Sequence, residues 1–589
     1  MIINTRGGKR RLALTVLTVF AIVGMFVVRL IDIQLVRAGE LTADAEQRRT
    51  LPVTTYGVRG SIVDANGVVL ADSVERFDIT AAPKNAKLDE TWMTRDGKRV
   101  KVPTTVAIQA IADLTGADPN AIYQALAGDR ESSFAYLART VTLEVFKKVR
   151  ALQIPWVYSE LHPARTYPSG AIGGNLVGFI GTDGPLAGTE LKQDECLGAT
   201  NGESTYESSA DGVRLPGSTV VQQEAKDGGT IHLTIDADLQ WYAQQVLAEQ
   251  GAALGADWAT AMIVEVKTGR IVAGADWPSV DPNDLDSVGN EERGARIFAS
   301  PFEPGSIMKV ATFASLLDQG EISPATQVLV PGVYTEGLPE GSSIKDSWAH
   351  GDLPLTATGI LMNSSNIGTA ILAQRLSKQE RHDYLEAFGF NSDTAVDFLG
   401  ESSGSVLPMD QTDAITNLTQ QFGQGMSATS AQLASLYQTI GNGGVRMPLT
   451  LISGCEQPDG SWTQQPSTDG TRVVSESAAD TTVQMMEVTA NQGSLKNVLA
   501  IPGYRVAAKT GTAEVAQNGA YGSDRIVSVA GLVPAGDPQY AIVVTFAKPD
   551  TMRTSAAAAP AFNAIMKQVI KTFRIIPQAD GAPSLPTTW

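Results

Sequence analysis

Apolar and polar positions recur along the chain with periods that change from one stretch to the next. Leu12 through Val28 is an unbroken uncharged run, preceded by Lys9, Arg10 and Arg11 and resumed after Arg29 by Leu30 and Ile31. A helix crossing a bilayer needs roughly 17 to 25 such residues, so residues 12–31 read as a single transmembrane anchor. The basic flank puts residues 1–11 in the cytoplasm and the rest of the chain outside. A cleaved signal peptide competes with this reading, but the run is long for one and has no evident small-x-small cleavage site.

Beyond the anchor, Ile62–Val63 and Val68–Ala71 read as short strands around Asp64-Ala65-Asn66-Gly67, whose Asn-Gly tolerates positive φ. Helical periodicity appears in pieces at 106–114 and 143–152. Glycine-punctuated strands and turns follow at 165–170, 177–181 and 188–190. The composition breaks at Ala225-Lys226-Asp227-Gly228-Gly229, so residues 32–225 are expected to form one non-catalytic domain and 226–575 another. In the second domain, Thr230 to Asp236 alternates like a strand. Asp236 suits the N-cap of a helix running to about Glu249, and residues 261–266 and 269–273 form a hairpin across Lys267-Thr268. Further helices, then strands at 505–508, 526–532 and 540–546 and a closing helix at 556–573, complete an α/β arrangement. Residues 576–589 read as a flexible tail.

Composition narrows the function. With 589 residues there is material for two cores, and a net charge of -18 argues against a nucleic-acid partner. Two cysteines, Cys196 and Cys455, and four scattered histidines offer no metal-ligand spacing, and no cofactor is expected. The cysteines could pair in an oxidising exterior or stay as separate buried thiols. The chemistry gathers in three strings. Pro304 and Gly305 precede Ser306, which opens an apolar helix ending near Gly320, with Lys309 one turn on and on the same face. A buried lysine can lose enough proton affinity to take the proton of a serine hydroxyl, which makes Ser306 the candidate nucleophile. Ser364-Ser365-Asn366 supplies a Ser-x-Asn, and Lys509-Thr510-Gly511 a Lys-Thr-Gly closing the strand-like 504–507. Gly400 to Gly404 also matches the Gly-x-Ser-x-Gly elbow of α/β-hydrolases, but no histidine follows Ser402 and Pro408 spoils the helix the elbow needs.

Ser-x-x-Lys, Ser-x-Asn and Lys-Thr-Gly in that order resemble the signature set of penicillin-binding proteins and class A β-lactamases. Over nearly its whole length the chain resembles a class B penicillin-binding protein, of the FtsI-like or penicillin-binding protein 2-like kind. Arg59-Gly60-Ser61-Ile62-Val63-Asp64-Ala65-Asn66-Gly67 is similar to a segment of that class, with Ala65 where arginine is usual. The resemblance implies an elongated α+β pedestal of the dimerisation type under a serine D,D-peptidase or β-lactamase-like transpeptidase domain. It also implies a membrane-anchored D,D-transpeptidase that cross-links peptidoglycan stem peptides ending in D-Ala-D-Ala and is acylated by β-lactams. It assigns catalysis to Ser306, Lys309, Ser364, Asn366 and Lys509, substrate binding to Thr510, Gly511 and Thr512, and an oxyanion hole to the backbone N–H groups of Ser306 and Thr512. Ser365 reads as a spacer, and Gln424 between Gly423 and Gly425 as a tight-turn residue. Expected partners are a SEDS-type glycan polymerase and membrane proteins of the division or elongation machinery, with septal synthesis preferred. The alternatives are a β-lactam-sensing receptor and a non-catalytic scaffold for a glycan polymerase.

Overall fold

The computed structural model describes residues 6–41, 50–181, 183–207, 215–517, 520–578 and 581–589. Residues 1–5 of the expected cytoplasmic tail and 579–580 of the expected C-terminal tail lie outside the described residues. The chain divides into two compact units, Met1–Val58 with Ala199–Asp227, and Arg59–Gly198 with Gly228–Trp589.

The first unit carries helix α1 (Arg6–Ile31), continued by a π-helical turn over Asp32–Val36. Gly8–Val36 is long and apolar enough to cross a membrane, with a mean hydropathy of 2.5 and none of its apolar window buried against protein. The unit also holds a three-stranded antiparallel sheet in which Gly202–Glu207 lies between Thr50–Thr55 and Val220–Gln223.

The second unit is built on an antiparallel sheet of β1 (Trp258–Glu265), β2 (Ile271–Trp277), β3 (Ala507–Gln517), β4 (Ala520–Val533) and β5 (Tyr540–Ala547), in the order β2-β1-β5-β4-β3. Every residue of β5 is buried, as befits a central strand covered on both faces. Around the sheet stand α2 (Ala237–Leu254), α3 (Lys309–Asp318), α4 (Ala357–Asn363), α5 (Asn366–Ala373), α6 (Ser430–Gly441), α7 (Glu476–Gln492) and α8 (Ala559–Thr572). Strand alternation sorts the two cores: Ala261, Ile263, Ile542, Val544 and Phe546 share one with α2 and α8, whereas Met262, Val264, Ala541 and Val543 share the other with α3 to α7. Asp236 caps α2 by accepting the Leu239 N–H, as its sequence position suggests.

Three features depart from the expectations. The composition break near 225 does not separate two independent cores. A six-stranded sheet runs Trp462–Thr463, Ile452–Glu456, Thr230–Leu233, Ile62–Val63, Val69–Val74, Ala164–Thr166, so three strands from after residue 225 and three from before it share one sheet, joined where Thr230–Leu233 pairs with Ile62–Val63. The disulfide Cys196–Cys455 ties the same regions, closing the alternative that the sequence left open. Among the described residues of 32–225, the stretch 76–161 keeps a core of its own, around Ile79, Ile111, Leu126 and Trp156. The second departure is the C-terminal segment, expected to be free. The Thr356 N–H donates to the Thr587 carbonyl and its hydroxyl to the Pro586 carbonyl, and Leu585 packs on the core. Backbone pairing and one half-buried leucine outweigh the proline-rich composition that suggested mobility. The third is the Lys-Thr-Gly strand, which begins at Ala507 and runs through the motif to Gln517, because pairing with β4 overrides the weak strand propensity of Lys, Gly and Ala.

Candidate active site

Ser306 sits on a 3-10 turn (Gly305–Met308) that leads directly into α3, rather than on an α-helical first turn. Gly305 there has φ +58°, and a Cβ on it would meet the Thr512 carbonyl oxygen at 3.0 Å, so the turn presses against β3. On its other side the Gly305 N–H donates to the Gly423 carbonyl at 2.9 Å, and the Gly425 N–H donates to Glu303 Oε1 at 3.0 Å. The Gly423-Gln424-Gly425 turn therefore backs the serine turn, a role that leaves no local signal among its residues. Helix α4 ends at Ser364, held in the left-handed region at φ +60°, which turns its hydroxyl inward before α5 starts at Asn366.

These elements bring Ser306, Lys309, Ser364, Asn366 and Lys509 into one cluster. The Lys309 and Lys509 side chains are both fully buried. Lys309 Nζ lies 2.9 Å from Ser306 Oγ, 2.6 Å from the Ser364 carbonyl oxygen, 2.7 Å from Asn366 Oδ1 and 3.3 Å from Ser364 Oγ. Lys509 Nζ lies 2.8 Å from the same Ser364 Oγ and 2.9 Å from the Thr510 carbonyl. Burial, and then the neighbouring Lys509 charge, hold the Lys309 amine well below its usual proton affinity, with Asp346 opposing them. Burial pushes Lys509 down to about 7. Burial and the Lys509 charge both favour the neutral form of Lys309, the form that can accept a proton. Two of its neighbours, the Ser364 carbonyl and Asn366 Oδ1, can only accept, so they take its two N–H bonds and leave the lone pair for the Ser306 hydroxyl. Ser364 Oγ stands between two amines and can accept from one while donating to the other.

Lys509 and Gly511 share one face of β3, and a Cβ on Gly511 would fall 3.0 Å from Ile307 Cγ2. Thr510 and Thr512 share the other face, where the Thr512 hydroxyl accepts the Ser555 N–H at 3.2 Å. Among the described residues β3 pairs only with β4, so its outer edge is open beside the serine turn. Ser402 of the hydrolase-like string lies in a loop, its hydroxyl accepting the Gly404 N–H. Ser365 is no spacer: it is fully buried, caps α5 by accepting the Gly368 N–H at 2.9 Å, and donates to Asp346 Oδ2 at 2.7 Å. A serine immediately before an apolar helical run was the available signal. Asp346, about twenty residues upstream, carried none.

Residues 259–567 match the penicillin binding protein transpeptidase domain, and residues 54–185 the penicillin-binding protein dimerisation domain. The penicillin-binding protein PbpB of Mycolicibacterium smegmatis is 33% identical over 97% of this chain and 91% of its own length. The peptidoglycan D,D-transpeptidase FtsI of Escherichia coli is 31% identical over 91% of this chain and 87% of its own. Among solved structures, a peptidoglycan synthetase from Bifidobacterium adolescentis superposes with a TM-score of 0.72 at 30% identity, over 92% of this chain and all of that one. Penicillin binding protein 3 from Mycobacterium tuberculosis, complexed with aztreonam, superposes with a TM-score of 0.68 at 28% identity, over 91% of this chain and all of that one. The chain therefore belongs to the penicillin-binding proteins, in the class B, FtsI-like group of serine D,D-transpeptidases.

Proposed function

We propose that the chain cross-links peptidoglycan through an acyl-enzyme on Ser306 and that β-lactams acylate the same serine. The observation that carries this reading is the Lys309 amine, held by two acceptor-only oxygens with its remaining direction toward Ser306 Oγ at 2.9 Å. Ser306 Oγ attacks the carbonyl carbon of the penultimate D-alanine in a donor stem peptide while its proton passes to Lys309 Nζ. The oxyanion is received by the backbone N–H groups of Ser306 and Thr512, each such donor contributing about 3 kcal/mol of transition-state stabilisation. The C–N bond breaks, and the departing D-alanine amine takes the proton relayed from Lys309 through Ser364 Oγ. Asn366 orients both Lys309 and the substrate amide. Lys509 supplies positive charge at Ser364, Thr510 and Thr512 take the substrate carboxylate, and Gly511 leaves the β3 edge clear for an extended peptide. The amine of a second stem peptide then attacks the acyl carbon and gives its proton to Lys309; the C–O bond to Ser306 breaks, and Lys309 returns the proton to Ser306 Oγ. A β-lactam follows the first half of this path but keeps its leaving group attached. No Glu-x-x-Leu-Asn string occurs between Asn366 and Lys509 to activate a deacylating water, so the adduct persists.

Labelling the membrane-bound chain with a fluorescent penicillin tests this reading: wild type labels and Ser306→Ala does not. Wild type that never labels ends the acylation reading, and labelling that survives Ser306→Ala ends the nucleophile assignment. Cross-linking of a stem-peptide substrate then separates a transpeptidase from a sensor or scaffold. We further place the N-terminus in the cytoplasm and the catalytic unit outside, supported by the basic flank of α1 and by a disulfide suited to an oxidising exterior. Protease added to spheroplasts should degrade the catalytic unit. A SEDS-type polymerase would supply the glycan strand, and septal synthesis is the assigned role. A fluorescent fusion confined to the side wall would overturn it.

A further inference from the structure

Behind the Ser-x-Asn turn lies a second polar cluster that the acylation steps do not use. The Asp346 carboxylate is fully buried, and all four of its lone-pair directions are occupied. Oδ1 accepts the backbone N–H groups of Asn366 and Ile367, the latter at 3.0 Å. Oδ2 accepts the Ser365 hydroxyl at 2.7 Å and faces His350 Nε2 at 3.0 Å. The Ser365 oxygen accepts the Gly368 N–H with one lone pair while its proton goes to Oδ2. His350 is itself only 6% exposed, and its Nδ1 lies 2.6 Å from the Gly351 carbonyl oxygen. A carbonyl can only accept, so Nδ1 carries a proton, while Nε2 faces the one remaining lone pair of a carboxyl group that already holds three donors. The same segment also fixes the Asn366 side chain, whose Nδ2 donates to the Lys345 carbonyl at 3.2 Å and so turns Oδ1 toward Lys309.

We propose that Asp346 and His350 form a buried ion pair that holds the Ser364–Asn366 turn in place, making both of them positioning residues for the Lys309 amine. The proposal rests on the reading of Ser306 and Lys309 as the acylating pair. The charged groups facing the pair are Lys309, reached through Asn366, and beyond it Lys509; Trp348 packs against the His350 ring at 5.4 Å without charge. The negative charge of Asp346 is felt at Lys309, where it favours the protonated amine. In the proposed pair the His350 ring carries the opposite charge and works against it. Removing one charge or the other must therefore move the Lys309 titration in opposite directions, which a purely structural loosening of the turn would not do.

The test uses the full chain in detergent micelles, with Asp346→Asn and His350→Gln compared to wild type. Nitrogen-15 labelling of the four histidines, with His350 identified by its loss in His350→Gln, should show both ring nitrogens protonated at neutral pH. Acylation by fluorescent penicillin should slow in both variants, on the order of 100-fold for an ångström of displacement at the turn. The acidic limb of its pH profile should move down in Asp346→Asn and up in His350→Gln. A His350 ring with one bare nitrogen in wild type overturns the ion pair. Both limbs moving the same way, or rates within about threefold of wild type at unchanged unfolding temperature, overturn the positioning role. If wild type fails to label, the acylation reading falls, and the ring-nitrogen spectrum still decides the ion pair.

Discussion

Replacing Gly423 with alanine probes the backing of the serine turn without touching any group of the reaction. Gly423 has φ +83°, and its carbonyl accepts the Gly305 N–H at 2.9 Å. A Cβ placed on it would lie 2.2 Å from the Gly305 carbonyl oxygen, 2.7 Å from its nitrogen and 2.8 Å from its carbonyl carbon. An ordinary contact needs ~3.4 Å, so one of the two backbones must retreat by about 1.2 Å. Two effects follow. The left-handed backbone costs about 1–2 kcal/mol of stability once a Cβ is present. The displacement falls on the peptide bonded to Ser306, and a shift of that size in reacting groups typically costs on the order of 100-fold in rate. Gly400→Ala separates the two effects, since Gly400 has φ +78° with nothing within 4 Å of its added Cβ. The assay is the time course of fluorescent-penicillin labelling, with thermal unfolding in parallel. Gly423→Ala should label about 100-fold more slowly, whereas Gly400→Ala should lose a few degrees of stability and label at nearly the wild-type rate. The reasoning is refuted if Gly423→Ala acylates within about threefold of wild type, or if Gly400→Ala slows as much.

Four further outcomes follow from the same geometry. Acylation should show a bell-shaped pH profile, rising as Lys309 gives up its proton and falling as Lys509 loses its own near 7, with the two amines titrating as a pair. Lys509→Arg, which stays charged, should extend the alkaline limb; a wild-type profile flat through this range would count against the assignment. Lys509→Met should abolish acylation yet unfold at a higher temperature than wild type. The folded amine is neutral above about 7 while the unfolded one keeps its proton to about 10.5, so wild type loses stability as pH falls between those values and the variant does not. The advantage of Lys509→Met should accordingly be largest below pH 7 and vanish above about 10.5; the opposite pH trend in urea titrations would sink it. Replacing Cys196 and Cys455 by serine opens a closure spanning 259 residues and should cost about 2–5 kcal/mol, read as a lowered urea midpoint. Glu190, fully buried between Arg59 and Arg165, accepts from both at 2.9 and 2.6 Å, so Glu190→Ala should destabilise by about 3–5 kcal/mol by stranding two guanidinium groups. An unchanged midpoint would refute either expectation.

The three strings that meet in the cluster stand out in the sequence because the chemistry proposed for them restricts residue type at fixed spacing: a hydroxyl and an amine one helical turn apart, a serine and asparagine flanking one residue, a lysine before a glycine on a strand. Their surroundings were less so. Asp236 as a cap and Asn66-Gly67 as a turn could be read because each acts within four residues of itself. Asp346 serves α5 from a loop about twenty residues away, and Gly423 serves Gly305 across more than a hundred, so neither leaves a periodic mark. Ser365 was misread for a different reason: its position inside a recognised motif hid an ordinary helix cap. The pairing of two cysteines 259 residues apart had no local correlate at all.

The mixed sheet around Thr230–Leu233 imposes an order of events on biogenesis. Ile62–Val63 lies beside that strand on one side and Ile452–Glu456 on the other, so the earliest piece of the sheet leaves the ribosome about 390 residues before its last covering strand. At ~5–20 residues per second the interval is roughly 20–80 s. For the later part of that time, from its own synthesis onward, Cys196 has no mate and the strand made at residue 230 has a bare flank. Both stay uncovered until the far end of the chain arrives.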